Sequence, residues 1–167
     1  MLLVNDFKDY ELLDASCGEK YERWGDVYLL RPDPQVIWNN GNLQEKYYGK
    51  IDAIYHRSNK GGGYWENINK VPNSWIIHYK ELSFHIKQMG FKHTGLFPEQ
   101  VVNWNFMIDK INKAHRNIRV LNLFAYTGGA TVACLSAGAH VTHVDSSKGM
   151  VDWCKENVNS SGYQGDK

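Results

Sequence analysis

Cysteine is scarce here, and the three residues do not pair up. Cys17, Cys134 and Cys154 are odd in number, far apart and without a CxxC spacing. That argues against a disulfide framework and against a zinc site, and free buried thiols in a reducing cytoplasm are the plain reading. An excess of one charge is also missing. Nineteen Lys and Arg face 18 Asp and Glu, a net charge of +1. Up to His93 there are 12 basic and 12 acidic residues, and from Thr94 onward 7 and 6. A strongly basic nucleic-acid binder would be more lopsided, so any such contact must use a local patch. No apolar stretch approaches the length of a membrane span. The first six residues have neither the basic region nor the apolar run of a signal peptide. Internal repeats and low-complexity segments are absent as well.

What is present suits one ordinary domain or two small ones: 167 residues, 43% hydrophobic and 13% aromatic, with six Trp and ten Tyr. The first portion reads as β. Short apolar-rich runs lie at 10–16 and 27–31, broken by Cys17-Gly18, Gly25-Asp26 and Pro32-Asp33-Pro34. A third run covers 51–57, and the turn Asn59-Lys60-Gly61-Gly62-Gly63 separates it from Tyr64-Trp65. Runs at 75–79 and 82–89 predict a hairpin, with Leu82, Phe84, Ile86 and Gln88 on one face. This portion, 1–93, is expected to be an α+β module of mainly antiparallel β.

Beyond it the period changes. Pro98 suits the first turn of a helix, and Val101, Trp104, Ile108 and Ile111 recur at helical spacing. Strands are predicted at 118–124 and 140–144, and helices at 129–137 and 148–158. Strand, helix, strand, helix is the start of a parallel α/β sheet.

The chemistry concentrates at Val120-Leu121-Asn122-Leu123-Phe124-Ala125-Tyr126-Thr127-Gly128-Gly129. An apolar strand runs into a glycine turn and then a helix, the place where doubly wound sheets bind ligands. Glycine there would let backbone approach a ligand closely. The next strand ends in Asp145, 17 residues after Gly128, where an acid can accept hydrogen bonds from both ribose hydroxyls. The dinucleotide fingerprint GxGxxG is absent, and so is a Walker motif, so a phosphate cradle is unsupported. S-adenosylmethionine carries no phosphate and needs only a close loop and a ribose acceptor. The competing reading is an ordinary tight turn and a surface Asp.

These residues resemble motif I and post-I of the class I S-adenosylmethionine-dependent methyltransferases. They are most similar to the bacterial RNA methyltransferase group related to the 23S rRNA cytosine-5 enzymes. The resemblance rests on the turn Phe-Ala-Tyr-Thr-Gly-Gly, on Val144-Asp145-Ser146-Ser147-Lys148, and on Trp153-Cys154-Lys155-Glu156-Asn157. Upstream, Lys92-His93-Thr94-Gly95-Leu96-Phe97-Pro98-Glu99-Gln100 and Asn103-Trp104 resemble the segment that leads into the cofactor site in one branch. The resemblance implies that 94–167 is the first half of a Rossmann-like domain. It implies a cofactor site at Phe124, Ala125, Tyr126, Thr127, Gly128, Asp145 and Ser146, with Thr94, Glu99, Gln100 and Asn122 as further candidates. It also implies RNA as partner and a cytoplasmic enzyme. Many relatives carry an acid where Asn122 stands, and Glu99 is the candidate to supply that charge.

The family's later motifs have no counterpart here. By the resemblance, the motif that carries catalysis is expected to lie beyond Lys167, and no catalytic residue is assigned within the chain. The 167 residues are therefore expected to stop before the fold and its catalytic centre are complete, and to be inactive alone. The strand at 118–124 is expected to carry an unpaired edge that helices cannot satisfy, favouring self-association or swapping of elements. A methyltransferase for a small molecule or protein, or a cofactor-binding fragment without catalysis, stands as the alternative. Lys60-Gly61-Gly62-Gly63 with Arg57 could touch a phosphate backbone or be a flexible tip. His93 could be a polar contact or a core histidine. Cys134 and Cys154 face inward by periodicity, and Trp24, Trp38, Trp65 and Trp75 read as core.

Overall fold

In a computed structural model of the protein, residues 3–164 are described. Lys167, the expected last residue of a partial domain at 94–167, lies outside the described residues. The described residues form two compact units. One holds Lys8–Ile77 and Ile86–Thr94; the other holds the residues up to Phe7, His78–His85, and the chain from Gly95 onward.

The first unit is built on a five-stranded sheet in the order β1 (Tyr10–Ser16), β2 (Glu19–Trp24), β3 (Val27–Pro32), β4 (Ala53–Arg57), β5 (Gly63–Asn67). All neighbours are antiparallel except β3 and β4, which pair in parallel. The short helix α1 (Leu43–Lys46) lies in the connection between them, capped by Asn42, whose Oδ1 accepts from the backbone N–H of Gln44 and Glu45. Tyr21, Leu30, Leu43, Ile51 and Ile54 form the core beneath.

Two of these elements escape the sequence pattern for physical reasons. Four residues of α1 are too few to show a helical period. Strand β2 reads Glu-Lys-Tyr-Glu-Arg-Trp, too charged to look like a strand, yet Glu22 is fully buried. Arg31 of β3 makes this possible. Its Nε and Nη2 donate to the two oxygens of Glu22 at 2.6 and 2.9 Å, the Tyr10 hydroxyl donates to Oε1 at 2.8 Å, and the guanidinium lies 5.0 Å from the Trp24 ring centroid. A carboxylate so paired can sit inside a sheet module. The reading of Trp38 as core is corrected: it is half exposed, with its indole N–H donated to the Ala15 carbonyl at 2.7 Å. At Gly63 a Cβ would lie 2.1 Å from the His56 carbonyl oxygen, so glycine is required where β5 leaves the turn.

The second unit begins with the hairpin β6 (Trp75–Tyr79) and β7 (Leu82–Ile86), of which His78–His85 belong here. A 3-10 turn at Pro98–Gln100 leads into α2 (Val101–Lys113). Then come β8 (Arg119–Leu123), α3 (Gly129–Ser136), β9 (His140–Val144) and α4 (Lys148–Ser160). β8 and β9 are parallel, in register from Arg119↔His140 to Leu123↔Val144. Trp104 of α2 packs against Phe84 and Tyr79, and α3 buries Val132, Ala133 and Cys134.

Helix α4 completes β7 by side chains. Ser161 Oγ, just past its end, accepts the Ser83 N–H at 2.9 Å and donates to the Ser83 carbonyl at 3.1 Å. Asn157 Oδ1 accepts the His85 N–H at 2.7 Å, and the Trp153 indole donates to the His85 carbonyl at 2.9 Å. Four backbone groups of that strand are thus satisfied without another strand. Among the described residues no helix is long and apolar enough to cross a membrane.

Candidate cofactor site

The segment after β8 is held in an unusual backbone path. Phe124 and Tyr126 both have φ of 52°, and Gly128 has φ of 85°. Left-handed backbone costs a residue with a Cβ about 1–2 kcal/mol, so the loop needs restraint from its surroundings. It gets five ties. Ala125 N–H donates to the Val144 carbonyl at 3.1 Å, and Gly128 N–H to the Ala125 carbonyl at 3.0 Å. Tyr126 N–H donates to Asp145 Oδ2 at 2.8 Å. The Thr127 hydroxyl donates to the Gly95 carbonyl, and Asn157 Nδ2 donates to the Thr127 carbonyl at 2.8 Å.

Asp145 therefore does more than end a strand. Its other oxygen accepts the Ser147 N–H at 2.9 Å. The N–H groups of Ser147 and Tyr126 hold its carboxyl below the usual range, so it stays ionised. Each oxygen retains a further lone pair for a ligand hydroxyl.

The glycines serve packing. A Cβ at Gly128 would lie 2.3 Å from Cys154 Sγ, and one at Gly129 2.7 Å from the Trp104 ring. Backbone approach to a ligand is not what excludes a side chain at these two positions.

Beside the loop lies a cavity of about 260 Å³. Leu96, Phe97, Gln100, Trp104 and Met107 form one wall; Asn122, residues 124–127, Gly129 and Ala130 form the other. Phe97 and Tyr126 meet with ring centroids 5.3 Å apart, while Phe124 stands exposed. Of the residues expected at a cofactor site, Phe124, Ala125, Tyr126, Thr127, Asn122 and Gln100 line this cavity. Gly128, Asp145 and Ser146 sit beside it, on the loop and at the end of β9, and outside its lining. Glu99 is exposed and outside the lining too. Thr94 belongs to the first unit and is fully buried, its hydroxyl without a hydrogen-bond partner among the described residues. The catalytic motif expected beyond Lys167 falls outside the described residues, which end at 164.

The sequence reading missed the aromatic wall from Phe97 and the polar chain beneath the cavity. Asn122 Nδ2 donates to Thr131 Oγ1 at 2.9 Å, Thr131 Oγ1 lies 2.9 Å from His143 Nδ1, and Cys154 Sγ lies 3.3 Å from the same nitrogen. Burial holds the His143 imidazole below its usual value and pushes the Cys154 thiol up to about 11. Burial also raises the Cys134 thiol. Neither cysteine is an activated nucleophile. Among the described residues no three His, Cys, Asp or Glu side chains gather to hold a metal ion.

No family model matches the chain. It is 30% identical over 139 residues to the ribosomal RNA large subunit methyltransferase K/L of Magnetococcus marinus, covering 83% of this chain and 17% of that protein. It is 34% identical over 109 residues to the protein of the same name from Shewanella frigidimarina, covering 65% of this chain and 15% of that one. A solved SAM-dependent methyltransferase from Agrobacterium tumefaciens superposes with a TM-score of 0.86 at 35% identity, over 93% of this chain and 50% of that one. The chain thus spans about a sixth of the curated relatives it matches and half of the solved chain. Its parallel β8–α3–β9–α4 arrangement is that of a Rossmann-like methyltransferase fold.

Proposed function

We propose that the second unit binds S-adenosylmethionine in this cavity, and that the chain serves methyl transfer to RNA in the cytoplasm, with large-subunit ribosomal RNA as the substrate. The observation that carries the reading is the pairing of Asp145 with the loop. An ionised carboxylate at the end of β9 holds the Tyr126 N–H beside an aromatic-walled cavity at the carboxyl ends of two parallel strands. The names of the relatives support RNA as the acceptor. The Phe-Ala-Tyr-Thr-Gly-Gly turn supports placing the chain with the group related to the cytosine-5 enzymes.

The residues fit the cofactor. Asp145 has lone pairs for the ribose hydroxyls, and Ser146 lies next to it. Phe97, Phe124 and Tyr126 offer faces for a flat base, and Asn122 and Gln100 offer polar atoms to the amino-acid portion. When bound, the cofactor supplies an electrophilic methyl group on a sulfonium. The chain's own residues hold and orient it, and the apolar wall of Leu96, Trp104 and Met107 excludes water.

Calorimetric titration of the chain with S-adenosylhomocysteine tests the site. Binding is expected, and Asp145→Ala is expected to weaken it at least tenfold, in line with hydrogen bonds to a charged group. Unchanged affinity in the variant would remove Asp145 from the site.

The exposed Leu121, Leu123, Phe124 and Val144 support a further reading, in which the chain associates with itself through β8.

A further inference from the structure

The chain of polar groups under the cavity has a direction. An asparagine amide can present either its NH2 or its oxygen to a neighbour, and the other end then faces away. Asn122 gives its Nδ2 to Thr131 Oγ1, and its Oδ1 takes no partner among the described residues, on a side chain that lines the cavity. Thr131 has one hydroxyl proton. If that proton goes to His143 Nδ1, Thr131 keeps only lone pairs for Asn122, and the amide must offer N–H to it. If His143 instead carried its proton on Nδ1, Thr131 would be free to donate to Asn122 Oδ1, and the amide could turn over.

The surroundings favour the first arrangement. Nδ1 faces two groups that carry protons, the Thr131 hydroxyl and the Cys154 thiol, which burial keeps protonated. Two donors converging on one ring nitrogen suit a lone pair there, with the proton on Nε2. That Nε2 is buried, and the Tyr126 carbonyl and the Asp145 charge on the neighbouring loop favour a proton there.

We propose that His143, acting through Thr131, is a positioning residue that fixes the sense of the Asn122 amide. It turns Asn122 Oδ1 into the cavity as an acceptor for the ammonium group of a bound amino-acid moiety. This rests on reading the cavity as an adenosylmethionine site. A carboxylate accepts in either orientation, whereas an amide must be held.

Two probes separate this from a general loss of structure. S-adenosylhomocysteine carries the ammonium, and 5′-methylthioadenosine lacks the whole amino-acid portion. Calorimetry on the 167-residue chain is expected to find Thr131→Val and His143→Phe each weakening S-adenosylhomocysteine by about ten- to hundredfold, the loss of a hydrogen bond to a charged group. Affinity for 5′-methylthioadenosine is expected to stay unchanged. Thr131→Ser, which keeps the hydroxyl, is expected to bind like the parent. Asn122→Asp placed in the Thr131→Val background is expected to restore binding. Equal losses for both ligands, or no loss for either, would overturn the proposal while leaving the adenosylmethionine reading intact. A parent chain that binds neither ligand would overturn both. If one of the two variants fails to fold, the other still reads the same relay.

Discussion

Asn157 Nδ2 donates to the carbonyl of Thr127 at 2.8 Å, and this amide ties the loop beside the cavity to helix α4. Its Oδ1 meanwhile accepts the His85 N–H at 2.7 Å, and the residue is fully buried. Both ends of one side chain are committed to backbone groups. Asn157→Leu keeps the volume and takes the partner from both groups, at about 1–3 kcal/mol each. Asn157→Asp keeps the acceptor for His85 and sets a carboxylate oxygen against the Thr127 carbonyl. Urea unfolding is expected to rank the parent well above both variants. Hydrogen exchange at the His85 amide is expected to rise in Asn157→Leu more than in Asn157→Asp.

Gly128 and Cys154 set up a second test. With φ of 85° and a Cβ position 2.3 Å from the Cys154 sulfur, Gly128→Ala faces both backbone strain and a clash. Cys154→Ala removes the sulfur and so relieves the clash but leaves the strain. In a double-mutant cycle the two substitutions are expected to couple, with Gly128→Ala costing less in the Cys154→Ala background. Strict additivity in thermal or urea melts would mean that the loop shifts away from α4 without cost.

Part of this was legible in the sequence. The parallel βα units show because β8 lies in an apolar run and glycines fall at the turns, so β8, α3, β9 and α4 stand out from residues 118–160. β2 was not legible. A hydrophobic pattern cannot reveal that Glu22 is buried, because its burial depends on Arg31 one strand away. The cavity was half legible: its loop wall follows from the motif, but the wall from Phe97, Trp104 and Met107 exists only through the packing of α2. The His143 relay was also invisible, since Asn122, Thr131, His143 and Cys154 come from four different elements. A hydrophobic pattern is also silent on which strand edges are satisfied by side chains. Ser161, Asn157 and Trp153 do that for β7, because Ser, Asn and Trp side chains reach backbone groups that a helix backbone cannot.

The Glu22–Arg31 pair predicts a pH response. Burial alone would push the Glu22 carboxyl up, but the Arg31 charge and its two hydrogen bonds outweigh this and hold it below the usual range. With the folded value depressed, the pair's contribution is fully present above the unfolded glutamate value of about 4.3. It is lost as pH falls through the lower folded value. Glu22→Gln leaves Arg31 buried without its counter-charge and is expected to cost about 3–5 kcal/mol at neutral pH. Below pH of about 4 the parent's stability is expected to fall toward that of the variant, whose own acid limb is flatter. Urea midpoints measured from neutral pH down to about pH 3 would check this. Parallel curves would show that other carboxylates govern the acid response.

The exposed face of β8 and β9 sets up the last test. Leu121 and Leu123 are 62% and 52% exposed, Val144 is 44% exposed, and Phe124 at the end of β8 is 93% exposed. The opposite face, with Val120, Asn122, Val141 and His143, is half-buried. Parallel strands are ordinarily covered on both faces, because each exposed apolar residue forgoes the gain of leaving water. β8 also pairs only with β9 among the described residues, so its other side offers free backbone N–H and C=O groups. No lysine or proline lies within β8 to blunt that edge; Arg119 sits at its start. Self-association through this strand would cover both the face and the edge. Light scattering over a concentration series is expected to show mass rising with concentration. Leu121→Lys with Leu123→Glu, both on the exposed face and neither lining the cavity, is expected to return the chain to a monomer without lowering its melting temperature. If the parent stays monomeric and melts in one sharp transition at every concentration, the exposed face of β8 does not drive association.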